Sequence, residues 1–161
     1  MLKALIPVLA LALLPQGAAV AQDAGSTAVY APHAEDALPP GAAYPMKKKF
    51  DSLTPAERAG LRALYDGMPE RDEPPFPKAG MAPIMSDVAE LAGVAKVTGL
   101  VSIFVNVDAA GNATGVRIMK APNIDVAKAI SFILVQAKYK PAMCNGAPCP
   151  MEFPFRFNLT L

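Results

Sequence analysis

Residues 98–119 read TGLVSIFVNVDAAGNATGVRIM, and this stretch decides the fold. Apolar residues alternate with other residues from Thr98 to Asp108, which is typical of a β-strand. The apolar positions on one face are Val101, Ile103, Val105 and Val107. Residues 108–112 are turn formers with Gly111 where a positive φ is needed, and residues 115–119 return as a second strand. The sequence therefore predicts a β-hairpin.

Two helical patterns flank this hairpin. The first begins after Pro83 and has apolar residues at helical spacing. They are Ile84, Val88, Leu91 and Ala95. The second is capped by Asn123 and covers residues 124–137. Its apolar stripe consists of Ile130, Ile133, Leu134 and Ala137. Because a hairpin alone is marginal in water, we expect this second helix to pack on a sheet.

The last segment, residues 151–161, reads MEFPFRFNLTL and alternates along its whole length. Its three phenylalanines share a face and are expected in the core. Pro154 has no N–H to donate, and proline is tolerated mainly at an open sheet edge or a bulge. The sequence therefore predicts an edge strand.

The N-terminus has the features of a signal peptide over residues 1–21. Lys3 precedes an apolar run that ends at Leu14, and Ala19 and Ala21 supply the small residues that signal peptidase requires. The run is shorter than the roughly 20 apolar residues that span a bilayer. We expect cleavage before Gln22, with a retained membrane anchor as the alternative.

Three further segments follow. Residues 22–49 are predicted to be a flexible leader rich in proline and alanine. Residues 50–74 combine a short helix with a proline-rich connector, and Thr54, Pro55 and Glu57 form a capping-box pattern at the helix start. Residues 75–161 are predicted to be the folded domain.

The two cysteines, Cys144 and Cys149, bracket a turn that contains Asn145 and Gly146. In an oxidising compartment we expect a disulfide there, worth about 2 kcal/mol. A redox-active pair and a soft-metal site are the alternatives. A redox pair normally has a two-residue gap at a helix N-terminus, which this pair lacks.

Composition excludes other classes of function. The chain has 15 Lys and Arg against 14 Asp and Glu. It therefore has no excess of positive charge to bind a phosphate backbone, which argues against nucleic acid as the main partner. The chain has a single histidine, His33, and no motif that resembles a catalytic set of nucleophile, base and orienting residue. We therefore expect a protein that is not an enzyme and that uses no cofactor or metal.

Several of these stretches together resemble the C-terminal domain of TonB-type energy transducers. The resemblance covers residues 75–161 and rests on motifs in a fixed order. They are PFPKA at 75–79, GLVSIFVNVD at 99–108 followed by Gly111, YKPA at 139–142, Asn145-Gly146, Pro148 and FRFNL at 155–159.

This resemblance implies an α+β fold in which a small antiparallel sheet of about three strands packs against one or two helices. It also implies a periplasmic protein that binds a partner by strand addition to a free sheet edge, with an outer-membrane transporter segment as the candidate partner. The implied partner-binding residues lie on the last strand, with the cysteine turn at its entry. They are Met151, Glu152, Phe153, Phe155, Arg156, Phe157 and Asn158.

The chain departs from the energy transducers in its cleavable N-terminus. After signal removal we expect no stable membrane insertion, so the domain would serve as a binding module in the periplasm. A transducer anchored in the inner membrane by an uncleaved N-terminus remains the alternative. Residues 80–98 are longer than expected and could cover part of the sheet, and a homodimer through the exposed edge is left open.

Overall fold

The computed structural model describes residues 30–33, 38 and 42–160 of the 161-residue chain. The signal peptide predicted at residues 1–21 and much of the predicted leader lie outside the described residues. Within the described part, no helix combines the length and apolar content that crossing a bilayer requires.

The described part of the chain contains helices and short and long strands in mixed order. A 3-10 helix at Phe50–Ser52 is followed by three α-helices, namely α1 (Pro55–Arg62), α2 (Met81–Ala95) and α3 (Ile124–Gln136). The strands are β1 (Phe76–Pro77), β2 (Gly99–Val107), β3 (Ala113–Lys120), β4 (Tyr139–Lys140), β5 (Ala142–Cys144), β6 (Ala147–Cys149) and β7 (Met151–Leu159). The main sheet is antiparallel with the order β3-β2-β7, and β1-β4 and β5-β6 form two small ribbons. The predicted α+β class with a three-stranded sheet is confirmed.

The predicted hairpin is β2 and β3, and its turn is held by one carboxylate. Asp108 accepts hydrogen bonds from the backbone N–H groups of Ala110 at 2.9 Å and Asn112 at 2.8 Å. Gly111 has a φ of +84°, and the backbone N–H of Tyr139 donates to its carbonyl. The turn thus both reverses the chain and fixes the start of β4.

The central strand β2 is buried on both faces. Val101, Ile103, Val105 and Val107 enter the core as the alternation predicts. On the opposite face Phe104 is fully buried, and the guanidinium carbons of Arg117 and Arg156 lie 4.7 Å and 5.7 Å from its ring centroid. Cation–π contacts therefore close a face that the sequence pattern does not mark as buried.

The helix after β1 differs in detail from its prediction. It begins at Met81 instead of after Pro83, and its buried residues are Met81, Ile84, Val88 and Ala92, while Ala95 is exposed. The helix α3 is capped by Asn123, whose side chain accepts from the N–H of Val126 as predicted for an N-cap. These two helices pack against each other, and α3 also contacts β2 and β3.

The predicted capping box starts α1. The Thr54 side chain accepts from the N–H of Glu57, and Glu57 accepts from the N–H of Thr54 at 2.8 Å. This backbone N–H, together with the ammonium of Lys48, lowers the pKa of Glu57 to about 2. The first turn is therefore stabilised both by hydrogen bonds and by charge.

The described parts of the predicted leader lie against the fold, which differs from the expectation of a detached flexible leader. Tyr30, Ala42 and Tyr44 pack against the core, and the backbone N–H of His33 donates to the carbonyl of Leu64 at 3.0 Å. The core itself includes residues on both sides of position 75. Those before it are Phe50, Leu53, Leu61, Leu64 and Tyr65.

Two glycines with similar backbones give a matched test of the hairpin turn. Gly111 and Gly146 have φ of +84° and +83°, but a Cβ at 111 would clash with the carbonyl oxygen of Tyr139, while one at 146 would meet open space. We expect Gly146→Ala to cost about 1 kcal/mol, from the positive φ alone. We expect Gly111→Ala to cost about 3 kcal/mol, because the clash adds to that strain. Urea unfolding of both variants measures the difference, and equal losses would contradict this role of Gly111.

Candidate partner-binding edge

The predicted edge strand is β7, and it lies at one end of the three-stranded sheet. It pairs along its whole length with β2, from Gly99 opposite Leu159 to Val107 opposite Met151. In the described part of the chain β7 has no strand on its other side. The opposite end of the sheet is β3, most of whose residues are exposed.

Strand geometry divides the predicted site residues into two sets. Odd-numbered residues of β7 point their side chains into the core, and Met151, Phe153 and Phe155 are buried. Even-numbered residues turn their backbone groups toward the outer edge, because successive residues of an antiparallel strand face opposite neighbours. Pro154 belongs to this second set, so its missing N–H removes no bond to β2.

The outer edge is capped by two tyrosine hydroxyls. The Tyr65 hydroxyl donates to the carbonyl of Glu152 at 2.8 Å, and the Tyr44 hydroxyl donates to the carbonyl of Pro154 at 2.7 Å. Burial raises the pKa of both tyrosines, so the hydroxyls remain protonated donors. We call Tyr44 and Tyr65 the edge-capping tyrosines.

The side chains of the even-numbered residues lie on the face of Phe104. Arg156 is 5% exposed and donates to the carbonyl of His33 at 2.6 Å. Glu152 forms an ion pair with Arg117 of β3, with a shortest N–O distance of 2.5 Å. The ion pair ties the two outer strands together across the central one, and the Arg156 bond ties β7 to the chain near His33.

The exposure of the seven predicted partner-binding residues varies widely along β7. Asn158 is exposed, Glu152 and Phe157 are half-buried, and the remaining four are buried. Among these seven residues, only Asn158 therefore has an exposed side chain. The four buried side chains contribute to packing beneath the strand.

Phe153 anchors the strand from the core side. Its ring centroid lies 5.9 Å from that of Tyr139 and 6.2 Å from those of Phe76 and Tyr44. Contacts of this kind are worth about 0.5–1.5 kcal/mol each beyond simple burial. They connect β7 to β1, to β4 and to the residue that caps its own edge.

The cysteine turn precedes β7 and contains the predicted disulfide between Cys144 and Cys149. Asp72, whose side chain is fully buried, accepts from the N–H of Asn145 at 2.9 Å and from the hydroxyl of Tyr30 at 2.8 Å. The N–H of Asn145 and then the Tyr30 hydroxyl lower the pKa of this carboxyl. A buried carboxylate thus fixes the turn to the chain upstream, which supports a structural role for the cysteines.

No metal-binding arrangement is found where the structure is described. The described residues include no group of three or more His, Cys, Asp or Glu that could hold a metal ion. His33 pairs instead with Asp66, with 2.8 Å between Nδ1 and the carboxylate oxygen.

Sequence reasoning missed the edge-capping tyrosines. It considered residues 80–98 as a cover for the sheet, but α2 packs against α3, and the groups at the outer edge of β7 come from Tyr44 and Tyr65. Tyr65 follows the apolar positions of α1 and reads as an ordinary core residue. Tyr44 stands alone before a proline, with no periodic pattern to indicate its contact with a strand 110 residues later.

Comparison with known families gives one finding. Residues 90–159 match the family described as Gram-negative bacterial TonB protein C-terminal. No curated protein and no solved structure matches the chain significantly.

Removal of the disulfide tests its structural role. We expect Cys144→Ser with Cys149→Ser to lower the free energy of unfolding by about 2 kcal/mol, because the closed loop of the unfolded chain is released. Urea unfolding of the oxidised protein and the double variant measures this loss. Unchanged stability would contradict a structural disulfide and would favour a redox-active cysteine pair.

Proposed function

Residues 90–159 of this TonB C-terminal domain-like protein form the family's domain, and from that premise we propose that the protein binds an extended partner segment by strand addition at the outer edge of β7. Domains of this family are non-enzymatic protein-interaction modules that act in energy coupling for envelope transport. The chain therefore needs no reacting side chains to function.

One observation carries the proposal. The outward carbonyls of Glu152 and Pro154 on β7 are satisfied by side-chain hydroxyls instead of by a neighbouring strand. Backbone acceptors in such a row are the groups that an added strand uses, since main-chain hydrogen bonds supply most of its affinity. The edge of β7 is therefore chemically suited to a partner's backbone N–H groups.

The partner is expected to be extended and to be recognised mainly by its backbone. Pro154 offers an acceptor but no donor, so the partner forms one bond fewer at that position. An outer-membrane transporter segment exposed to the periplasm fits this description, and a second copy of β7 is the competing occupant. The exposed Asn158 end gives a visiting segment its first point of contact.

The proposed location is the periplasm after cleavage of residues 1–21. The balanced charge of the chain and its disulfide support an exported protein without strong attraction to anionic membranes. We expect the purified exported protein to begin at Gln22, because Ala19 and Ala21 precede that bond. Intact mass spectrometry of the envelope fraction measures this, and a mass that retains residues 1–21 would favour a membrane-anchored transducer.

A pair of substitutions at Asn158 tests the docking edge. Asn158→Pro removes a backbone N–H that faces outward, while Asn158→Ala removes only the side chain. We expect the proline variant to bind about five-fold more weakly and the alanine variant to bind as the native protein does, since one backbone hydrogen bond is worth about 1 kcal/mol. Titration of overlapping synthetic peptides from periplasmic segments of outer-membrane transporters provides the measurement.

Docking of the peptide on the β3 edge would contradict strand addition to β7. Equal affinity of both variants, with a photocrosslinker at exposed Met119 of β3 reacting with the peptide and one at Asn158 failing to react, would place docking on the opposite edge. Urea unfolding of the two variants controls for loss of fold.

A further inference from the structure

We propose that the edge-capping tyrosines hold the docking edge of β7 closed, so that a partner segment must displace them before it can pair. This inference rests on the proposed function and adds an intramolecular competitor to it. The competing groups belong to residues upstream of the region that matches the family, which begins at residue 90.

The two hydroxyls occupy the positions of a strand's donors. They bind the carbonyls of Glu152 and Pro154, which are two residues apart and thus about 6.7 Å apart along the strand. An added strand presents its N–H groups to the same outward carbonyls. Each hydroxyl therefore competes with the partner's N–H group for the same outward carbonyl.

The two caps differ in how firmly they are held. Tyr65 is 3% exposed and pairs as an isolated β-bridge with Pro32, while the N–H of Asp66 donates to the carbonyl of Ala31 at 3.1 Å. Tyr44 is only half-buried, and its neighbour Ala43 donates to the carbonyl of Gly60 at 3.2 Å. The Tyr44 cap is therefore expected to open first.

Opening of the Tyr44 cap before the Tyr65 cap agrees with the position of Tyr44 along β7. Its hydroxyl donates to the carbonyl of Pro154, so its release exposes that backbone acceptor. Pro154 lies nearer than Glu152 to the exposed Asn158 end of β7. A partner can therefore begin to pair at Asn158 and extend toward Glu152 as Tyr44 and then Tyr65 are displaced.

Removal of the hydroxyls alone tests the proposal. The full chain is compared with Tyr44→Phe, Tyr65→Phe and the double variant, because phenylalanine keeps the ring and its packing. A closed edge reduces apparent affinity by the fraction of molecules that are open. We expect peptides to bind about five-fold more tightly for each hydroxyl removed and about 25-fold more tightly for the double variant.

The matched control is Tyr139→Phe. The hydroxyl of Tyr139 donates to the carbonyl of Leu134 at 2.9 Å, which is the same type of bond, but it lies away from the outer edge of β7. We expect Tyr139→Phe to lower stability as the other variants do and to leave peptide affinity unchanged. Tighter binding by this control would overturn the proposal, since general loosening would then explain the effect.

A second measurement needs no partner. The N–H of Ala43 donates to the carbonyl of Gly60 beside Tyr44, so its amide hydrogen exchange reports opening of this cap. We expect the exchange to be about five-fold faster in Tyr44→Phe than in the native chain or in Tyr139→Phe. Unchanged exchange at Ala43 would overturn the closed-edge proposal.

The peptide titration distinguishes failure of the closed edge from failure of strand addition. Equal binding of peptides to the native chain and to the double variant, with crosslinks at Asn158, would leave strand addition intact and overturn only the closed edge. Absence of binding to the native chain and to every variant would overturn the proposed function. It would also overturn the proposal that the closed edge regulates binding.

Discussion

The antiparallel pairing of β7 with β2 is the constraint on which the other features depend. Because residues alternate, this pairing sends Met151, Phe153 and Phe155 into the core and turns the backbone of Glu152, Pro154 and Arg156 outward. One register thus builds the core and the outward-facing row of backbone acceptors together. A slip by one residue would exchange the two sets, so the fold and the candidate edge cannot vary independently.

A sheet of three strands can cover only a small hydrophobic core. In this protein, residues outside the sheet therefore complete the core. Phe76 and Tyr139 of the small ribbon β1-β4 contact Phe153, while residues from Phe50 to Tyr65 extend the same cluster. The opposite face is closed by Arg117 and Arg156 over Phe104. The hydrophobic core therefore reaches well upstream of the residues that match the family.

The closed edge reconciles two demands on β7. A strand with unpaired backbone groups is needed for strand addition, but the same groups invite unwanted pairing between copies. Tyrosine hydroxyls satisfy the carbonyls with single hydrogen bonds that a longer row of backbone bonds can outcompete. In this interpretation the upstream residues protect the edge until an extended partner supplies several donors at once.

The sequence by itself determined the elements that depend on short-range patterns. Alternation from Thr98 to Asp108, the Thr54 capping box, the Asn123 cap and the proximity of the two cysteines each involve residues a few positions apart, and each is present in the structure. The order of the motifs was also enough to identify the family, and Pro154 within the alternating residues 151–161 was enough to predict the edge position of the last strand.

Only the tertiary structure decided what lies against that edge. Tyr44 and Tyr65 meet β7 across separations of 110 and 87 residues, and the buried side of Phe104 depends on arginines from two other strands. Such contacts have no period and no fixed spacing. They arise because packing brings distant segments together, so the alternation in β7 could indicate that an edge exists but could not indicate that the chain covers it.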